Sequence, residues 1–224
     1  MGKRFEAAKK EVDTTKTYSP EESIALAKKT ATTKFVGNIE AHVRLGIDPK
    51  KTDQAVRGTV NFPHNTGKTK RIAAFVTPAK EKEAETAGAA IFGGDELIKQ
   101  IKETEKLNFD IAVAEPAIMP KLAQIAKILG PKGLMPNPKT GSVTNDIGKA
   151  IKEFASGKTE FKNDDSGNLH VVLGKSNLPD TDLIANFKAF IEAVQSTKPA
   201  ALKREFIQSV SVNATMGPGI RVKI

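Results

Sequence analysis

The residues best equipped for chemistry in this chain of 224 residues are three histidines, a pair of acids, two glycine-rich stretches and one hydroxyl-bearing turn. His42, His64 and His170 could serve as general bases or metal ligands. They stand singly among predicted strands and turns, with no pair at helical ligand spacing and no Ser or Asp constellation beside them. They therefore read as packed or hydrogen-bonded residues. Asp164-Asp165 falls in a predicted turn, where Asp is favoured by local hydrogen bonding. Gly67-Lys68-Thr69 has the ending of a phosphate-binding loop. The glycine that such a loop needs five residues earlier is replaced by Phe62, and residue 69 is expected to begin a strand. Gly130 to Gly141 is too dense in Gly and Pro for a helix or a central strand and reads as a rigid loop. Cysteine is absent, which excludes disulfides, thiolate metal sites and Cys nucleophiles. No catalytic, cofactor or metal site emerges, and the chain is not expected to be an enzyme.

Thr215-Met216-Gly217-Pro218-Gly219 is harder to set aside. It follows a predicted strand and joins a hydroxyl, a flexible apolar side chain and two glycines that let a backbone approach a ligand closely. By composition alone it is equally a surface turn.

Charge points to a class of partner. Lys and Arg number 35 against 26 acids, a formal net charge of +9. Such an excess favours a polyanion, because each phosphate neutralised releases condensed counterions. The excess is spread along the chain, four charges in 1–65, three in 66–157 and two in 158–224. With no basic tail, a nucleic-acid site would be assembled on folded surface. No apolar run approaches the roughly 18 residues of a membrane span, and the charged start lacks a signal segment. A cytoplasmic protein with no membrane partner is expected.

The elements that must position these residues alternate in texture. Ser19-Pro20-Glu21-Glu22 predicts a capped helix from Pro20 to Lys29. Ile39 to Leu45 alternates as a half-buried strand, and Gln54 to Phe62 predicts a second. Arg71–Val76 and Phe109–Ala114 read as strands buried on both faces. Between and after them, helices are expected over Lys80–Ala87, Asp95–Glu105, Pro116–Leu129 and Asp146–Ser156, with a short strand at Ala89–Phe92. Thr159–Lys162 and Leu169–Leu173 flank Asp164–Asn168 and predict a β-hairpin. Pro179–Gln195 is an amphipathic helix, Phe206–Val212 alternates as a last strand, and the chain closes on Ile220–Ile224. The order is α+β, then α/β, then α+β. The economical reading is a discontinuous α+β domain of the split β-α-β type, 1–65 plus 158–224, with an α/β domain, 66–157, inserted.

Several stretches resemble the bacterial members of the ribosomal L-one family. They are Lys34-Phe35-Val36, Leu45 to Gln54, Val56 to Val60, Pro63 to Lys68, Leu129 to Lys139, Gly174-Lys175 and Thr215 to Pro218. They stand in family order and spacing over nearly the whole chain. The resemblance implies a two-domain protein whose inserted domain is Rossmann-like. It implies binding to large-subunit ribosomal RNA at the mobile stalk, help in releasing exit-site tRNA, and repression of the messenger RNA of its own operon. It also implies a monomer off the ribosome, a ribosome-associated place in the cytoplasm, and no cofactor.

Carried over to this chain, the RNA contacts implied are Lys34 for a phosphate, Phe35 and Met216 against ribose or base, Ser209 and Thr215 for sugar hydroxyls, and Gly217. Asn38, Glu40, His170 and Lys175 are implied neighbours. Phe35 is alternatively a core aromatic, since Phe is usually buried. The chain departs from the family at Gly37-Asn38, where an acid followed by Thr or Ser is usual, and at Asn65, where Gly is usual and Asn tolerates left-handed geometry. The rival expectation is an α/β enzyme that binds a small molecule in the inserted domain. Salt separates the two, because phosphate contacts weaken steeply with ionic strength.

Overall fold

The computed structural model describes residues 2–67, 70–200, 202 and 204–223. In chain order its helices and strands are α1 (Lys3–Lys10), α2 (Pro20–Lys29), β1 (Asn38–Leu45), β2 (Arg57–Asn61), β3 (Ile72–Phe75), α3 (Glu81–Thr86), β4 (Ile91–Gly93), α4 (Asp95–Thr104) and β5 (Ile111–Ala114). There follow α5 (Met119–Leu122), α6 (Ala126–Leu129), α7 (Ile147–Ala155), β6 (Lys158–Lys162), β7 (Asn168–Lys175), α8 (Asp180–Ser196), β8 (Ile207–Ala214) and β9 (Ile220–Val222). The chain divides into two compact units, Met1–Gly67 with Thr159–Ile224 and Lys68–Lys158.

The first unit is built on a sheet of order β7-β1-β8-β9, antiparallel throughout. Period-2 alternation in β1 sends Ile39, Ala41, Val43 and Leu45 to the buried face and leaves Asn38, Glu40, His42 and Arg44 on the other. The buried face packs on α2 and α8 through Ile24, Ala27, Leu183, Phe187, Phe190 and Val194. The start of α2 is fixed by a capping box. Ser19 Oγ accepts from the Glu22 N–H at 3.2 Å and Glu22 accepts from the Ser19 N–H at 3.1 Å. On α8, Asn186 is wholly buried on the apolar face. Its Oδ1 accepts from the His64 N–H at 3.1 Å, and its Nδ2 donates to the carbonyls of His64 at 3.0 Å and Leu173 at 2.9 Å.

The second unit holds a parallel sheet of order β4-β3-β5. Both faces of β3 are covered. Ala73 and Phe75 pack toward α4, α5 and α6, while Ile72, Ala74 and Val76 pack toward α3 and α7. The loop after Leu129 is tied together by side chains. The buried Thr140 and Ser142 hydroxyls stand 2.9 Å apart and share their two protons between each other and the Asn137 carbonyl, at 3.0 and 3.1 Å.

Five expectations are corrected. The helix over Pro116–Leu129 is broken into 3-10 and α turns, Pro116–Ile118, α5, Ala123–Ile125 and α6, with Pro120 withholding a backbone donor inside it. The strand from Gln54 is shorter, because Thr52–Gln54 is a 3-10 turn and β2 starts at Arg57. The helix from Lys80 begins as a 3-10 turn at Pro78. Asn65 does not adopt positive φ; Gly67 does, at 76°, and Asn65 Oδ1 accepts its N–H at 3.0 Å. Most consequentially, β6 and β7 are not hairpin partners. β6 pairs with β2, and β7 pairs with β1. Alternation identifies a strand but not its neighbour. Asn163 continues the bonding toward Val56, and the turn at Asp164–Gly167 then redirects the chain into the other sheet. The sequence reading assigned no element to α1 or to β9. The strand start expected at residue 69 lies outside the described residues.

Candidate RNA interface

Three segments far apart in sequence meet at one end of the open face of the four-stranded sheet. The loop from α2 to β1 carries Lys34, Phe35 and Val36; Asn38 and Glu40 open β1; Thr215, Met216 and Gly217 follow β8. Thr215 is the latch between them. Its N–H donates to the Asn38 carbonyl at 2.8 Å, and its Oγ1 accepts from the Asn38 N–H at 2.9 Å. The single hydroxyl proton is left to choose between the Asn38 carbonyl at 3.2 Å and Glu40 Oε1 at 3.3 Å. One acceptor lone pair on Oγ1 therefore stays open to a ligand. Gly37 is buried against the same latch, and a Cβ there would stand 3.2 Å from Thr215 Cβ. The departure at Gly37 thus coincides with a close approach of loop to turn.

Around the latch the surface is apolar and exposed. Phe35 is 58% exposed, Val36 56% and Met216 65%, and the large apolar side chains exposed among the described residues are these three and Phe92. Phe35 is not a core aromatic. Its loop is held by Thr33, whose hydroxyl donates to the Phe35 carbonyl at 2.8 Å. Lys34 is exposed and makes no ion pair among the described residues. Met216 adopts φ of 64°, a conformation costly for a residue with a Cβ. The Gly217 N–H donating to Ala214 O at 2.7 Å closes that turn. Strain kept at an exposed apolar residue points to use rather than packing. Met216→Gly is expected to raise the unfolding free energy by about 0.5–1 kcal/mol, the left-handed penalty less the added chain entropy of glycine. Thermal denaturation of the two proteins checks this.

The remaining candidates are spread out. Lys175 stands opposite Asn38, and its stem lies against Gly67, where a Cβ would be 3.1 Å from Lys175 Cδ. Ser209 is exposed on the open face opposite Arg44, but six residues along β8 from Thr215, about 20 Å at strand rise. His170 lies mid-face, paired across the ladder with His42.

A model of the ribosomal protein L1p/L10e family matches residues 27–218. The chain belongs to this family. It is 48% identical over 220 residues to the large ribosomal subunit protein uL1 of Frankia casuarinae, covering 98% of this chain and 92% of the relative. The protein of the same description from Acidothermus cellulolyticus is 48% identical over 221 residues, with 99% and 92% covered. That of Streptomyces coelicolor is 47% identical over 218 residues, with 97% and 90% covered. The family match spans the latch, the loop from α2 to β1, the turn at Thr215–Gly217 and the whole of β7 and β8.

Two participants were not among the contacts that the resemblance implied. Arg4 of α1, beyond the matched span, reaches the Met216 carbonyl and Thr32 Oγ1, each at 3.4 Å. Val36 adds exposed apolar surface beside Phe35 and was legible only as part of the Lys-Phe-Val motif. The open face also carries charge, with Arg44 on β1 and Arg221 on β9 among Ser209, Ser211 and Asn213 of β8.

Asp164 anchors the turn leading into this face. Burial would raise its pKa, but the Asn168 N–H and side-chain amide, the Ser166 N–H and, when its Nε2 carries a proton, His170 bond the carboxylate and hold it down at about 2. A carboxyl depressed from 3.8 stabilises the fold fully above that pH and loses its contribution as pH falls through about 2. Stability is therefore expected to fall between pH 4 and pH 2, and to fall less in Asp164→Asn. Urea titrations across that range check the difference.

Proposed function

We propose that this chain is a structural protein of the large ribosomal subunit, and that the unit 1–67 with 159–224 binds large-subunit ribosomal RNA at the mobile stalk. The observation that carries the reading is the cluster of exposed Phe35, Val36 and Met216 around the Thr215–Asn38 latch, beside exposed Lys34, which has no ion-pair partner among the described residues. Exposed apolar side chains on a folded surface mark a partner. One cation and apolar contacts at hydroxyl-lined backbone suit RNA read by shape, stacking and 2′-hydroxyls. Lys34 takes a phosphate, Phe35 and Met216 lie against ribose or base, and Thr215 offers its open lone pair to a sugar hydroxyl. Gly217 keeps the turn close to the ligand. Asn38 and Glu40 shape the edge, while Ser209, His170 and Lys175 extend the footprint along the face.

Family membership supports the assembly, since the relatives are named as large ribosomal subunit proteins. On this reading the unit 68–158 is an inserted Rossmann-like domain, and the protein acts in the cytoplasm on the ribosome. There it assists release of exit-site tRNA. It represses its own operon messenger through the same site, and is monomeric when free. No helix among the described residues is long and apolar enough to cross a membrane.

Filter binding to a transcribed stalk junction, beside an unrelated structured RNA, tests the proposal. Tight binding to the junction alone, weakening steeply with salt, is expected. Equal affinity for both RNAs would leave a merely basic protein.

A further inference from the structure

On the open face, His42 of β1 and His170 of β7 are cross-strand partners, with Nδ1 facing Nδ1 at 2.7 Å and ring centroids 4.9 Å apart. The outer nitrogens are also occupied. His42 Nε2 meets Asn213 Oδ1 at 2.5 Å, and His170 Nε2 meets Asp164 Oδ2 at 3.3 Å. Asn213 Nδ2 donates to the Ala214 carbonyl, so its oxygen faces His42. An oxygen acceptor requires His42 Nε2 to carry its proton, which leaves Nδ1 of neutral His42 bare. His170 Nδ1–H then donates into it.

This wiring counts protons. With both rings neutral, the bare Nε2 of His170 faces a carboxylate with no proton between them. One added proton lands on that nitrogen and completes a bond to Asp164 without moving either ring. A second has only His42 Nδ1 to occupy, where it opposes the His170 N–H across the short contact, so the pair must separate. Other charged groups on this face are Glu40 and Arg44 on β1, Lys175 on β7 opposite Asn38, and Arg221 on β9, opposite Ser211, which itself pairs with His42. Asp165 follows Asp164 in the turn and is exposed.

We propose that His42 and His170 are a single phosphate-facing element of the RNA surface, which holds one extra proton with its geometry intact and comes apart at the second. The inference rests on the RNA-binding reading above. His42 has no role in that reading. The first proton cancels the Asp164 charge beside the face, which favours a polyanion; the ligand is an RNA phosphate lying over the centre of the sheet.

Two measurements on the full chain test it. In the free protein labelled with ¹⁵N-histidine, neutral His42 should be the Nε2–H tautomer, and its protonation should coincide with loss of the bond to His170. An Nδ1–H tautomer on His42, or two rings titrating independently and unaffected by replacing the other, overturns the pair. With stalk-junction RNA, lowering pH from 8 to 6 should tighten binding roughly fivefold more for the wild type than for the double variant His42→Gln with His170→Gln, which has no imidazole left in the pair, the size of one unit charge at about 4 Å in water. Equal ratios overturn the phosphate role while leaving RNA binding standing. Absence of binding at both pH values sinks the RNA reading itself, and with it the phosphate role; the tautomer result then judges the pair alone.

Discussion

Replacing Phe35 and Met216 together by alanine is expected to lower affinity for stalk-junction RNA by about a hundredfold or more, with little change in stability. Stacking on an aromatic contributes about 1–3 kcal/mol per base, and an apolar contact at Met216 adds to it. Both side chains are more than half exposed in the free protein, so their removal opens no cavity. Lys34→Ala should cost less, about threefold to tenfold near physiological salt, and should flatten the salt dependence by about one phosphate contact. The double variant should instead keep the salt slope of the wild type. Parallel equilibrium binding at several salt concentrations separates the two effects. A double variant that binds as tightly as the wild type would show that the apolar cluster faces something other than RNA.

The second large effect concerns the fold beneath the site. Asn186→Leu is expected to destabilise the protein by about 3 kcal/mol, despite adding an apolar side chain to an apolar helix face. It strands the His64 N–H and the carbonyls of His64 and Leu173, each of which now bonds the Asn186 amide. A buried backbone group left without a partner costs about 1–3 kcal/mol. Urea denaturation should show the midpoint falling with the slope unchanged. A loss under about 1 kcal/mol would mean that water reaches the turn at His64 and replaces the amide.

How far the sequence could be read depended on whether a feature was local. The alternation of β1 predicted which residues face outward, and Glu40 and His42 are on the open face accordingly. Ser19, Pro20 and Glu22 announced the start of α2, because a capping box is made within four residues. Non-local choices were hidden. Nothing in Thr159–Lys162 tells it to pair with β2 rather than with the next strand, and the hairpin expectation failed there. Asn186 went unmarked in the sequence, because its partners lie more than a hundred residues away at His64 and thirteen away at Leu173.

The candidate site divides in the same way. Phe35 and the Thr215–Gly217 turn were identified by resemblance, and their exposure and strain were not legible until the backbone was seen. The hydroxyl of Thr215, expected to face a sugar, is largely spent on Asn38 and Glu40, so its first task is to position the loop. His42 and His170 read as isolated residues because 128 positions separate them, and only the register of β1 with β7 makes them neighbours. Arg4 gave no signal, lying in a short basic helix like many others.

Crosslinking the chain to stalk-junction RNA and mapping the modified peptides tests most directly where RNA lies. Crosslinks should fall in residues 33–38 and 213–217, with weaker ones on the strands bearing His170 and Ser209. Crosslinks confined to residues 68–158, with the segments around Phe35 and Met216 unmodified, would contradict the assignment of the RNA site.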